Sequence, residues 1–225
     1  MAKPYRLVVF DWEGTLGDTL GQILNSVATE ARRLGFGELD EQLARQSVEL
    51  GLVKAVQKVF PHLNEEQREQ LLMAVQQSLV LRTTDVYLIP GAKDIVRRLS
   101  QAGIDVAIAT NKGHQSLQRV LQACGLDHFF KVTRSAGQLS PKPCPQMLEE
   151  ILAEFDVRID ETLMVGDSAT DIEMAKNIGV DAVGVDFYHQ QEVVLRAAGA
   201  LAVFDDYQRF ADYLQLPEEK EGVLQ

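Results

Sequence analysis

The sequence predicts an α/β fold, a doubly wound parallel sheet with an inserted block of helices. Three observations predict it. Short apolar, β-branched runs end in polar residues; helical stretches closed by glycine lie between them; and one long segment near the start holds helical pattern with no strand signal.

The first run is Tyr5 to Phe10, ending in Asp11. Val106 to Ala109 ends in Thr110, Leu163 to Val165 in Gly166 and Asp167, and Val180 to Val185 in Asp186. None alternates apolar with polar, as expected of strands buried on both faces of a parallel sheet. Helical patterns cover Lys93 to Ala102, Gln115 to Ala123, Gln146 to Phe155 and Asp171 to Ile178. Gly103, Gly125 and Gly179 stand just past three of them, the usual C-terminal stop. Strand and helix therefore alternate from residue 88 onward.

Earlier residues read differently. Leu20 to Leu34 is amphipathic, Gly35 and Gly37 break it, and Leu39 to Val59 is helical with a break near Gly51. Pro61 to Asn64 is a turn, and Glu65 to Leu81 is helical again. The expected division is a core of residues 1–16 and 85–225 with an α-helical cap of residues 17–84. An insertion after the first strand enters at the carboxyl end of the sheet, where such sheets bind ligands, a natural position for a lid. The Glu/Lys-rich tail after Pro217 is expected to fray.

Composition narrows the functions. The chain has 225 residues, 46% hydrophobic and 24% charged, with mass for one good core and a smaller module. No apolar run approaches the roughly 18 residues of a membrane span. The start lacks the apolar stretch and cleavage site of a secretory signal, so a cytoplasmic location is expected. A net charge of −11 argues against binding nucleic acid or an anionic membrane, which need a positive face. It leaves room for a small anion, because a metal and a lysine can make a local positive pocket. Cys124 and Cys144 lack metal-ligand spacing and read as reduced thiols.

The chemistry lies at the strand ends. A parallel sheet puts all its carboxyl ends on one edge, so Asp11, Glu13, Thr110, Asp167 and Asp171 are expected to converge. Clustered carboxylates stay ionised together only with a cation between them. Oxygen ligands suit magnesium, which keeps waters and shares its sphere with substrate phosphate. Asp167 and Asp171 fall where a strand end leads into a helix, so one loop brings both toward one ion; Asp171 can equally serve as a helix cap. Lys142 is flanked by Pro141 and Pro143, which stiffen its backbone, and its ammonium can neutralise a nucleophile and a phosphate oxygen. Thr110 and Asn111 can donate to phosphate or form a turn.

Taken together these segments resemble the haloacid dehalogenase superfamily. Asp11-Trp12-Glu13-Gly14-Thr15 resembles its first motif, usually Asp-x-Asp-Gly-Thr; Thr110-Asn111-Lys112 the second; Pro141-Lys142-Pro143 the third; and Gly166-Asp167-Ser168-Ala169-Thr170-Asp171 the fourth. Leu88-Ile89-Pro90-Gly91 is similar to the stretch that re-enters the core after a helical cap. Order and spacing agree over nearly the whole chain, and the subgroup it most resembles is that of the phosphoglycolate-phosphatase-like enzymes.

The resemblance implies a Rossmann-like core with an α-helical cap, and magnesium-dependent hydrolysis of a small phosphorylated metabolite by a monomer or homodimer. Asp11 would attack phosphorus and form an aspartyl-phosphate. Glu13 would protonate the leaving oxygen and then deprotonate the hydrolytic water. The Glu13 carbonyl, Asp11 and Asp167 would hold Mg2+, with Asp171 supporting the site directly or through water. Thr110 and the Asn111 amide would hold the phosphoryl group, and Lys142 its charge.

Position 13 departs from the family, whose phosphatases carry aspartate there. The glutamate keeps a carboxylate but sets it about an ångström or more farther out, a displacement that can cost on the order of 10²-fold in rate. Three other activities share these residues. A dehalogenase needs no magnesium, so Asp167 and Asp171 count against it. A phosphomutase uses nearly the same groups, and a weak phosphate-ligand binder is favoured only by Glu13. His62, His114, His128 and His189 read as surface or loop residues, and Trp12 as packing that points away from the site. Residues 46–51 are expected to face the crevice and help select substrate.

Overall fold

The computed structural model describes residues 5–45, 47, 51–81 and 86–217. It divides into two compact units, Met1–Asp18 with Leu88–Gln225, and Thr19–Tyr87. This division differs by a few residues from the sequence-based boundaries, for local reasons. Gly17 bridges to Leu88 and Tyr188 donates a hydrogen bond to Asp18, which hold residues 17–18 to the first unit. At the other end, Tyr87 accepts from Asn25 Nδ2 at 2.6 Å within the second unit.

The first unit is built on six parallel strands: β1 (Leu7–Phe10), β2 (Asp105–Thr110), β3 (Val132–Ser135), β4 (Thr162–Gly166), β5 (Asp181–Val185) and β6 (Val203–Phe204). Their order is β3-β2-β1-β4-β5-β6, the doubly wound arrangement. Phe10 registers against Ile108 of β2 and Val165 of β4, so β1 lies centrally. Strands β3 and β6 carry no strand signal in the sequence. Both are short edge strands. Thr133 and Arg134 of β3 are half-buried, Arg134 pairing with Glu150 at 2.8 Å, and β6 has two residues. Neither shows the apolar run of a strand covered on both faces.

Successive strand residues point to opposite faces. Leu7 and Val9 of β1 join Ala107, Ala109 and Met164 in a core closed by α7 (Gln146–Phe155), α8 (Ala169–Lys176) and α9 (Glu192–Ala198) through Ile151, Ile172 and Leu195. Phe10 turns the other way and meets Phe210 of α10 (Tyr207–Tyr213) edge to face, with ring centroids 6.5 Å apart. Helices α5 (Ala92–Gln101) and α6 (His114–Cys124) complete the winding.

The second unit holds α1 (Thr19–Arg33), α2 (Glu41–Arg45), α3 (Leu52–Val59) and α4 (Glu65–Leu81). Val27, Ala31, Val56, Phe60, Leu71 and Val75 form its core. The helical stretch expected over Leu39 to Val59, with its break near Gly51, is α2 and α3. Asp40 caps α2 by accepting the Leu43 amide at 2.9 Å, and Gly51 precedes α3 with a φ of +77°. Residues 46 and 48–50 of the expected substrate-facing segment, and the tail from residue 218, lie outside the described residues. Among the described residues no helix is long and apolar enough to cross a membrane.

Candidate active site

The strand order reverses direction between β1 and β4, the place where a doubly wound sheet opens a crevice at its carboxyl edge. Asp11 follows β1 there, its amide donating to the Val165 carbonyl at 2.9 Å, and Asp167 follows β4. Asp171 joins them from the first turn of α8, which begins at Ala169 rather than at Asp171 itself. One carboxylate oxygen from each of the three lies within 4.8 Å of the others.

Two glycines make this approach possible. A Cβ on Gly14, whose φ is +72°, would stand 2.0 Å from Asp167 Oδ2, and one on Gly166 would stand 2.3 Å from Asp171 Cγ. Any side chain at either position would push a carboxylate out of the cluster.

Lys142 reaches the same place from a distant loop. Its Nζ donates to Asp11 Oδ1 at 2.6 Å and to Asp171 Oδ1 at 2.5 Å, and the residue is buried. Asn111 Oδ1 accepts the Lys142 amide at 3.0 Å, and the Pro143 carbonyl accepts Asn177 Nδ2 at 3.2 Å, so the loop is held at both sides of the lysine. Asp171 Oδ2 accepts from the amide and hydroxyl of Ser168, at 3.1 and 2.6 Å. Asp171 thus both completes a capping box with Ser168, the N-cap of α8, and tethers Lys142, with both oxygens engaged. No side chain donates to Asp167 among the described residues.

The electrostatics follow from burial. Loss of water pushes Asp11 up to about 6 against the pull of Lys142, with Asp171 adding to the rise. Burial pushes Asp167 up to about 8, and the charges of Asp11 and Asp171 add to it. Burial pulls the Lys142 ammonium down, but Asp11 and Asp171 more than offset this and keep it charged. Three carboxyl groups thus crowd one ammonium in a poorly hydrated place, and ionising all three leaves surplus negative charge. An oxygen-only set with surplus charge fits a hard divalent cation such as magnesium.

The remaining sequence-predicted residues surround this cluster. Thr110 is buried at the end of β2, and its Oγ1 accepts the Lys112 amide at 3.2 Å. Asn111 is exposed apart from its tie to the Lys142 backbone. The Glu13 carboxylate is not part of the acidic cluster; its Oε1 accepts from Lys112 Nζ at 2.8 Å. Trp12 is buried with its indole against Gly17. His114 opens α6, and its Nδ1 is buried without a hydrogen-bond partner rather than at the surface.

Sequence reasoning missed two residues of this region. Tyr207 of α10 donates to the Thr15 carbonyl at 2.7 Å, bracing the turn that carries Glu13 and Gly14. Burial, reinforced by Asp167 and Asp11, holds its phenol well above its ordinary value and so neutral. No local pattern points to a tyrosine 192 positions away from its partner. Lys112 is the second: the sequence places it in the segment after Thr110, but nothing there pairs it with Glu13.

Comparison with known proteins gives matches over most of the chain. A phosphoglycolate phosphatase of Rhodospirillum rubrum is 29% identical over 223 residues, 95% of this chain and 92% of that protein. One from Vibrio cholerae is 30% identical over 208 residues, 87% of this chain and 91% of that protein. A HAD family hydrolase from Deinococcus radiodurans, solved with bound phosphate and sodium, has the same fold: TM-score 0.72 at 19% identity, covering 96% of this chain and all of that one. The family model for haloacid dehalogenase-like hydrolases matches residues 8–185, and the chain belongs to that family.

Proposed function

We propose that the chain is a magnesium-dependent phosphatase that hydrolyses a small phosphomonoester of the phosphoglycolate class through a phosphoryl group carried on Asp11. The observation that carries this reading is the grouping of Asp11, Asp167 and Asp171 at one strand edge with Lys142 bonded to Asp11. It is supported by the phosphatases among the relatives.

In this reading the ionised Asp11 carboxylate attacks phosphorus, and the bond to the leaving oxygen breaks as the bond to Asp11 forms. Thr110 and the Asn111 amide hold the phosphoryl oxygens, and Lys142 neutralises the charge that gathers on them. Glu13 gives a proton to the leaving oxygen, then takes one from the water that releases inorganic phosphate. Asp11, Asp167 and the Glu13 carbonyl would hold magnesium, with Asp171 beside them. When bound, the ion offsets the negative charge shared by nucleophile and phosphate. The reading carries a cytoplasmic setting, in keeping with the free thiols of Cys124 and Cys144.

A panel of small phosphomonoesters assayed with magnesium tests it. Release of inorganic phosphate that vanishes with a chelator is expected. Phosphate release unaffected by chelation, or none from any ester, would overturn it. Isomerisation of a sugar phosphate with little free phosphate would indicate a mutase.

A further inference from the structure

We infer that Lys112 is a positioning residue that holds the Glu13 carboxylate in place, and that the two act as one unit in turnover. The inference rests on the phosphatase reading above and deepens it.

Glu13 lies in the turn after β1 and Lys112 in the turn after β2, 99 positions apart. Their side chains meet at 2.8 Å. Lys112 is well placed to hold a partner still, because its own amide is fixed on Thr110 Oγ1 at the strand end. Its side chain is only 19% exposed, low for a lysine, whereas that of Glu13 is 48% exposed. An ion pair with one partner this open to water contributes little to stability. Glutamate has one more rotatable bond than aspartate, and so more freedom to lose. An ammionium anchored from the next strand restricts that freedom. It also joins the residue that handles protons to the loop that holds the phosphoryl group.

The test is a double-mutant cycle of Lys112→Met, Glu13→Gln and their combination, with p-nitrophenyl phosphate as the probe. Its leaving group departs without needing a proton, so the assay reads Glu13 in the water step. Lys112→Met is expected to lower kcat on the order of tenfold, the scale of a misplaced proton-transfer group, with KM nearly unchanged. Lys112→Arg should recover most of that loss. In the Glu13→Gln background the Lys112 change should cost nothing further. An additive loss, a rise confined to KM, or an unchanged Lys112→Met enzyme would overturn the inference while leaving the phosphatase reading intact. A wild-type chain that releases no phosphate from this probe or from any ester of the panel would instead overturn the reading itself, and the inference with it.

Discussion

Stripping magnesium and raising the pH is expected to destabilise this protein, because the Asp11, Asp167 and Asp171 cluster holds more ionisable acid than Lys142 offsets. Burial moves Asp11 from 3.8 to about 6 and Asp167 from 3.8 to about 8. In the unfolded chain both return to the ordinary range. Between the unfolded and folded values the native state binds more protons than the unfolded state, so stability falls as pH rises. The fall should begin at about pH 4 and be complete a little above pH 8. At ~1.4 kcal/mol per pH unit, the rise at Asp11 corresponds to ~3 kcal/mol and the larger rise at Asp167 to no more than ~6 kcal/mol. The two share Lys142 and repel each other, so their contributions overlap, and Asp167 keeps some access to water. The expected loss is ~3–5 kcal/mol, a large part of the ~5–15 kcal/mol that holds a typical domain folded. The assay is urea unfolding in chelator at pH values from about 5 to about 8.5, repeated with magnesium. Midpoints should drop with pH in chelator and recover with magnesium, and Asp167→Asn should flatten the drop. A chelated protein equally stable at both ends of the range, or one that magnesium does not stabilise at the alkaline end, would refute the reasoning.

Two further outcomes follow from single positions. Gly14→Ala, whose Cβ would stand 2.0 Å from Asp167 Oδ2, should raise the magnesium needed for half-maximal activity at least tenfold, measured by metal titration. Glu13→Asp shortens the acid by one methylene and should raise kcat, by up to ~10²-fold if displacement of the carboxylate limits the wild type. An Asp variant no faster than wild type would mean that displacement of the carboxylate does not limit turnover.

How much of this was legible in the sequence depends on distance along the chain. Strands β1, β2, β4 and β5 are apolar on both faces, so their ends, and the acids placed there, could be read directly. Strands β3 and β6 could not, because edge strands need no unbroken apolar run. The motif order pointed to the family that the family model matches over residues 8–185. The prolines around Lys142 announced a stiff loop, but not that its ammonium bridges Asp11 and Asp171. Those contacts span 131 and 29 positions and depend on how α8 and the loop pack. Glu13 was legible as a longer acid, whereas its partner became visible only once β1 and β2 lay side by side.

A carboxylate oxygen of Asp11 takes the phosphoryl group in the proposed reaction. Acid quenching during turnover, followed by peptide mass mapping, tests this directly. Wild-type protein should carry phosphate on the peptide containing Asp11, and Asp11→Asn should carry none and release none. Turnover that persists in Asp11→Asn, or a phosphoryl group trapped on any other residue, would contradict it.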